Sequence, residues 1–287
     1  MVTLNNIKNR YYNATIVEKF ISINVGVFLL VFILNTLGFL FQQNSNLITN
    51  WFILPATLDG FLSRPWSIIS YGFIHVSFLH ILMNLIAMYY IGNLFIQFFT
   101  PKQFSTFYFL GTLFGGIVFL TSYNFFPVFS NDVSNSYLLG ASAGVSAIFI
   151  GLAAFTPNYQ LKIPLIGFIK LWQLAAVWIL LDIIQIPAGN AGGHLAHIGG
   201  ALFGLFYVNS AKKNKTHFID KLMQLFRFNK NPLRTVYKSK SNQSKKQSNT
   251  TYKQKKINVI LDKISKSGYD TLTEEEKEFL FKQSGRN

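Results

Sequence analysis

No cysteine occurs in the 287 residues, which excludes disulfides, thiolate metal sites, iron–sulfur clusters and a cysteine nucleophile. Charge is scarce as well: 13% of the residues are Asp, Glu, Lys or Arg, about half of what a soluble domain carries. Acidic residues are the scarcer sign, 11 against 26 cations. From Phe20 to Ser210 the only cations are Arg64, Lys102, Lys162 and Lys170, and the only anions Asp59, Asp132 and Asp182. What is abundant is apolar, with 50% of residues hydrophobic and 16% aromatic. A soluble fold is excluded. The chain reads as a membrane body followed by a basic tail.

A membrane-crossing helix needs about 20 mostly apolar residues. Six stretches qualify: Phe20–Phe41, Leu79–Phe99, Phe104–Tyr123, Leu138–Phe155, Phe168–Ile186 and His194–Val208. The fourth and sixth are short and rich in Gly, Ala and Ser, which suits helices packed closely inside a bundle. The first is too long and starts too late for a cleavable signal peptide. The expected fold class is therefore an all-α membrane protein with six spanning helices. Lys8, Arg10 and Lys19 precede the first span, Lys102 and Lys162 lie in alternate connections, and the cationic tail follows the last. Both termini are then cytoplasmic.

The organisation expected is a cytoplasmic segment 1–19, a membrane core 20–210, a basic disordered linker 211–256 and a small helical element 257–287. The linker is polar and basic, so anionic lipid headgroups, not nucleic acid, are its expected partner. Thr273 and Glu276 have the spacing of a capping box opening a helix over Thr273–Lys282. In the connection 42–78, Trp51, Phe52, Phe61 and Trp66 mark residence at the membrane interface.

Polar groups at membrane depth are costly and point to function. The second, fourth and sixth spans run in one direction, from outside to inside. Their first turns carry His80 and Asn84, then Gly140-Ala-Ser142-Ala-Gly144, then His194-Leu-Ala-His197. Ser142, His197, His80 and Asn84 should thus meet at one depth. A serine hydroxyl becomes a nucleophile when a base takes its proton, and histidine is that base near neutral pH. The Ser142 backbone amide, His80 and Asn84 could supply donors for the oxyanion of an acyl-transfer intermediate. Taken singly, each residue is more simply an interior hydrogen-bonding or packing residue; their shared depth argues for chemistry. Gly140-x-Ser142-x-Gly144, followed by Asp182 and His197, also matches a hydrolase nucleophile elbow, but the strand–turn–helix setting that motif needs is missing. Asp182 could orient a histidine, pair with a loop amide at membrane depth or snorkel to water, and is read as structural. No His-Glu-x-x-His motif or cofactor fingerprint occurs. His194 and His197 have the spacing of a metal pair, yet the sixth span offers no carboxylate.

These residues resemble the rhomboid family of intramembrane serine proteases over about Leu62 to Gly204. Arg64-Pro-Trp66, then His75 and His80-Ile-Leu-Met-Asn84, resemble the family's first loop and second helix. Gly140-Ala-Ser142 is similar to its nucleophile motif, and Ala196-His197-x-x-Gly200-x-x-x-Gly204 to its histidine helix. The resemblance implies a Ser142–His197 dyad with no third acid, and an oxyanion hole of His80, Asn84 and the Ser142 amide. Gly140, Gly200, Gly204, His75 and Trp66 would support it. It further implies single-pass membrane proteins as substrates, entering between the second and fifth spans beside Trp172 and Trp178. Ser70, Ser77 and Ser146 would line the water route. Three departures stand out: Ala143 replaces a glycine, Ser146 replaces an aromatic that stacks on the imidazole, and Trp66-Ser67 replaces a Trp-Arg pair. Abundant Asn, Lys, Ile and Phe point to an AT-rich bacterial genome and a plasma-membrane location. Rival expectations are a non-catalytic rhomboid-like protein that binds membrane clients, and a small-solute transporter.

Overall fold

The computed structural model describes residues 11–42, 47–163, 167–212, 256–264, 267–268 and 271–284. The segment 1–10 and most of the linker read at 211–256 lie outside the described residues. The chain divides into two compact units, Met1–Arg227 and Phe228–Asn287.

In the first unit the long helices are α1 (Ile16–Leu40), α5 (Phe78–Phe95), α6 (Pro101–Phe125), α7 (Ser142–Phe155), α8 (Leu171–Gln185) and α9 (Ala191–Lys212). Three short helices, α2 (Leu47–Phe52), α3 (Leu58–Ser63) and α4 (Ser67–Ser70), fill the connection between α1 and α5. Sequence chemistry marks the starts. Thr15 and Glu18 close a capping box on α1, and Thr100 and Gln103 close another on α6, with Pro101 at its first position.

Four helical segments are long and apolar enough to cross a bilayer: Ile16–Leu40, Phe78–Phe95, Pro101–Phe125 and Leu171–Ala188. The protein is a membrane protein on that evidence. Two of the six expected stretches lie outside that set. The fourth stretch begins its helix at Ser142, not Leu138, and its 14 residues reach only about 21 Å, less than a bilayer's apolar thickness. The sixth forms a 22-residue helix, but its Gly-rich, polar first turns leave it outside that set of four. The body is also not wholly helical. β1 (Leu54–Pro55) pairs antiparallel with β2 (Tyr137–Leu138), and β3 (Gln160–Ile163) with β4 (Gly167–Lys170). The β3–β4 hairpin takes the first residues assigned to the fifth span, so α8 starts at Leu171.

Burial separates the centre from the rim. In α7 every residue from Ala143 to Ala153 is buried, whereas α1 exposes Leu29, Leu30, Phe32 and Ile33, and α8 exposes Val177, Leu180, Leu181, Ile183 and Ile184. Apolar side chains turned outward suit lipid, and the helices satisfy their own backbone groups. Inside, small residues replace side-chain interdigitation with backbone contact. A Cβ on Gly200 would lie 2.1 Å from the Ala143 carbonyl oxygen, and one on Gly204 2.4 Å from that of Ala147. α9 therefore runs parallel to α7, stepping four residues at a time along it. A Cβ on Gly115 of α6 would meet the Ala143 Cβ at 2.6 Å and the Ala196 oxygen at 2.8 Å.

The second unit contains a helix over 256–264 and another at Glu274–Ser284. The capping box read from Thr273 and Glu276 is formed, and Glu276 also pairs with Lys263 at 2.8 Å.

Gly200→Ala is expected to destabilise the protein by about 1–3 kcal/mol, because a backbone carbonyl cannot yield as a side chain can. Gly26→Ala, with nothing within 4 Å of the added carbon, should be neutral or mildly stabilising. Thermal unfolding of both variants in detergent checks the contrast.

Candidate active site

Ser142 is the first residue of α7, preceded by Ala141 at the cap and by Gly140 at φ +110°. That backbone conformation disfavours any side chain, and a Cβ on Gly140 would also lie 2.7 Å from His80 Cε1. The glycine is what lets the His80 ring press against the turn leading to Ser142. The turn is tied down twice more. Gly140 N–H donates to the Tyr71 carbonyl at 2.9 Å, and Ala141 N–H donates to His75 Nε2 at 3.3 Å. The 71–75 segment is itself anchored to α6: the Tyr71 hydroxyl donates to the Thr112 carbonyl, and the Tyr108 hydroxyl to that of Gly72, each at 2.7 Å.

Ser142 is half-buried, and the N–H groups of its turn have no partner within the helix. That turn is also the positive end of the α7 dipole. Asn84 is buried one turn after His80, and its amide donates to the His80 carbonyl at 2.9 Å. One of its two N–H bonds is thereby spent inside α5.

His197 comes from α9. The residues next to the two candidate partners, Ala143 and Ala196, both press on Gly115. The hydrogen bond that His197 forms goes to Asp182: Nδ1 to Oδ1 at 2.8 Å. None joins it to Ser142 among the described residues. Asp182 is 5% exposed, and the same Oδ1 also meets His194 Nδ1 at 2.8 Å. Asp182, read from sequence as structural, thus sits directly on the imidazole. The spacing of the two histidines, three apart on one side of α9, was legible; what it did not show is that their carboxylate comes from the adjacent helix.

Other assignments shift. Ser146 does not line a water path: it is fully buried and accepts from Trp178 Nε1 at 3.3 Å. Trp178 in turn packs on Phe149 and lies 6.5 Å from the His197 ring. The aromatic neighbour missing at position 146 therefore comes from α8. Trp172 is half-exposed as a lipid-side residue, whereas Trp178 faces inward. Ser70 is occupied as well, donating to the Phe52 carbonyl at 2.8 Å. Trp66 anchors its loop by donating to the Trp51 carbonyl at 2.9 Å and stacking on the Trp51 ring. The Arg64 guanidinium adds a bond to the Asn50 carbonyl.

His75 lies in the connection ahead of α5, 1% exposed. Burial, helped by the nearby His80, lowers its pKa to about 4. A histidine kept neutral in the fold but free to charge when unfolded favours unfolding as pH falls below its ordinary value near 6.5. Stability should therefore decline between about pH 6.5 and pH 4, and His75→Gln should flatten that decline. Melting curves of both proteins across this range give the answer.

A rhomboid domain model matches residues 62–212, and a family of unknown function (DUF6576) matches residues 240–286. The RHOMBOID-like protein 12, mitochondrial, of Arabidopsis thaliana is 27% identical over 205 residues, covering 68% of this chain and 58% of that protein. The Presenilin-associated rhomboid-like protein A, mitochondrial, of Danio rerio is 28% identical over 141 residues, covering 48% and 35%. The chain thus spans from about a third to rather more than half of the length of these relatives. The domain match covers more than half of the chain and contains every residue of the candidate site, so this protein belongs to the rhomboid family.

Proposed function

We propose that the protein is an intramembrane serine endopeptidase that cuts the membrane segments of other proteins near the outer face. The observation that carries this reading is the hydrogen bond from His197 to Asp182. With its Nδ1 proton held by the carboxylate, a neutral His197 keeps the lone pair on Nε2. Where Nε2 meets the hydroxyl, it takes the Ser142 proton as the oxygen attacks a substrate carbonyl. The oxyanion is received by the Ser142 N–H at the α7 terminus, by His80 and by the remaining N–H of Asn84. His197 returns its proton to the leaving amine, and a water molecule repeats the sequence to release the acyl group.

Asp182 acts here as a positioning residue, selecting the tautomer and holding the ring, as the carboxylate does in a Ser-His-Asp triad. The bundle is read as six membrane helices with both termini cytoplasmic, α7 being the short central one. A bacterial plasma membrane is the proposed location; the two relatives are mitochondrial by name. Single-pass membrane proteins are the proposed substrates, reaching the site between α5 and α8 past Trp172. An unwound helix is needed to expose an amide bond, so small or helix-breaking residues near the cut favour cleavage.

Purified protein acting on a model membrane substrate tests this. Ser142→Ala and His197→Ala should each lower cleavage at least about a thousandfold, and His80→Ala on the order of a hundredfold. Asp182→Asn should lower kcat by about a hundredfold with KM little changed, because the carboxamide does not enforce the same tautomer. Full cleavage by Ser142→Ala ends the reading. An intact protein that neither cleaves nor reacts with a fluorophosphonate probe would favour client binding without catalysis.

A further inference from the structure

Hydrolysis as proposed uses the Asp182–His197 contact and leaves His194 without a task. Yet Asp182 Oδ1 is shared equally, at 2.8 Å to each Nδ1, while Asp182 Oδ2 is buried with no hydrogen-bond partner among the described residues. One oxygen is crowded by two rings and the other is orphaned. A buried carboxylate normally spreads its partners over both oxygens. The three side chains offer ligand atoms that all lie within 4.8 Å of one another. Two come from one face of α9 and one from α8, so the cluster straddles a helix pair.

Two imidazole nitrogens and one carboxylate oxygen are the donor set of a zinc-class divalent cation, with a fourth position left for water. Tetrahedral bonds of about 2.1 Å place ligand atoms about 3.4 Å apart, so the two 2.8 Å contacts need to open by about 0.6 Å. Asp182 Oδ2 is the unsatisfied acceptor that can take part of that load.

We propose that Asp182, His194 and His197 form an inhibitory site for a zinc-class divalent cation, which silences the protease by occupying Nδ1 of His197. The inference rests on His197 being the general base, and follows from counting protons. A neutral imidazole has one proton for two nitrogens. When Nδ1 carries it toward Asp182, Nε2 is an acceptor and can take the serine proton. When the metal takes the Nδ1 lone pair, the proton resides on Nε2, and the acceptor is gone. His194 undergoes the same tautomer change, so the ion binds without net loss of protons from neutral rings. His197 is thereby left with only an N–H to offer the serine. The nucleophile stays in place while its base is disabled.

The test uses the full chain purified in detergent, stripped with EDTA and titrated with Co2+. Tetrahedral ligand-field bands should appear at one ion per chain, in wild type and in Ser142→Ala alike, and zinc should displace them. His194→Asn should abolish the bands. In the cleavage assay, zinc should slow wild type at least tenfold and EDTA should restore it. Measured against its own metal-free rate, His194→Asn should need at least tenfold more zinc for half-inhibition; His194→Gln serves equally should the first variant be unstable. No bands in wild type, bands that survive loss of His194, or equal zinc inhibition of wild type and variant would each overturn the proposal. If wild type binds Co2+ through His194 yet cleaves nothing, the protease reading fails and the inhibitory role with it, while the cation site stands on its own spectrum.

Discussion

Contact between bare backbones at the centre of the bundle is the constraint on which everything else depends. In lipid, apolar side chains gain little by leaving one hydrocarbon surface for another, so helices are held by close van der Waals approach. Gly200 and Gly204 set α9 against the carbonyls of Ala143 and Ala147, and Gly115 admits both Ala143 and Ala196. Those alanines are the chain neighbours of Ser142 and His197. The packing that builds the core and the packing that sets the site are therefore one set of contacts. That α7 is short and buried almost throughout follows from the same geometry, since it is the helix the others close upon.

A second layer of order comes from polar ties around the start of α7. The Gly140 turn is bonded to Tyr71 and His75, and the segment bearing these is bonded to α6 through Tyr71 and Tyr108. β1 and β2 add a two-residue bridge from the other side. The half-buried Ser142 thus sits on a preorganised turn and not on a free loop, which would lower what reorganisation costs in the proposed catalysis. The loop anchored by Trp66 and Arg64 continues this scheme toward the surface, with indole and guanidinium donating to α2 carbonyls.

Among the described residues of the body, Asp182 is the one buried carboxylate. An isolated carboxylate there would be costly, and two histidines resolve that cost. The same contact orients the proposed base and gathers the ligands of the proposed cation site. Catalysis and its inhibition would thus turn on which species, a proton or a metal ion, occupies Nδ1 of His197.

The sequence by itself determined that the chain enters a membrane and where most of its helices lie, and it raised the expectation that Ser142, His80 and His197 share a depth. Hydropathy, capping boxes and the Gly-x-x-x-Gly spacing are local properties, legible without coordinates. The register of α7 start, the β3–β4 hairpin and the shortness of the fourth helix were less legible, because apolar runs look alike in strands and helices. Only the tertiary structure decided that Asp182 grips both histidines, that Trp178 supplies the aromatic neighbour absent at Ser146, and that Gly140 makes room for His80. Each of these joins residues from different helices. Such meetings are set by how the helices cross and rotate in the bundle, which no spacing along the chain encodes.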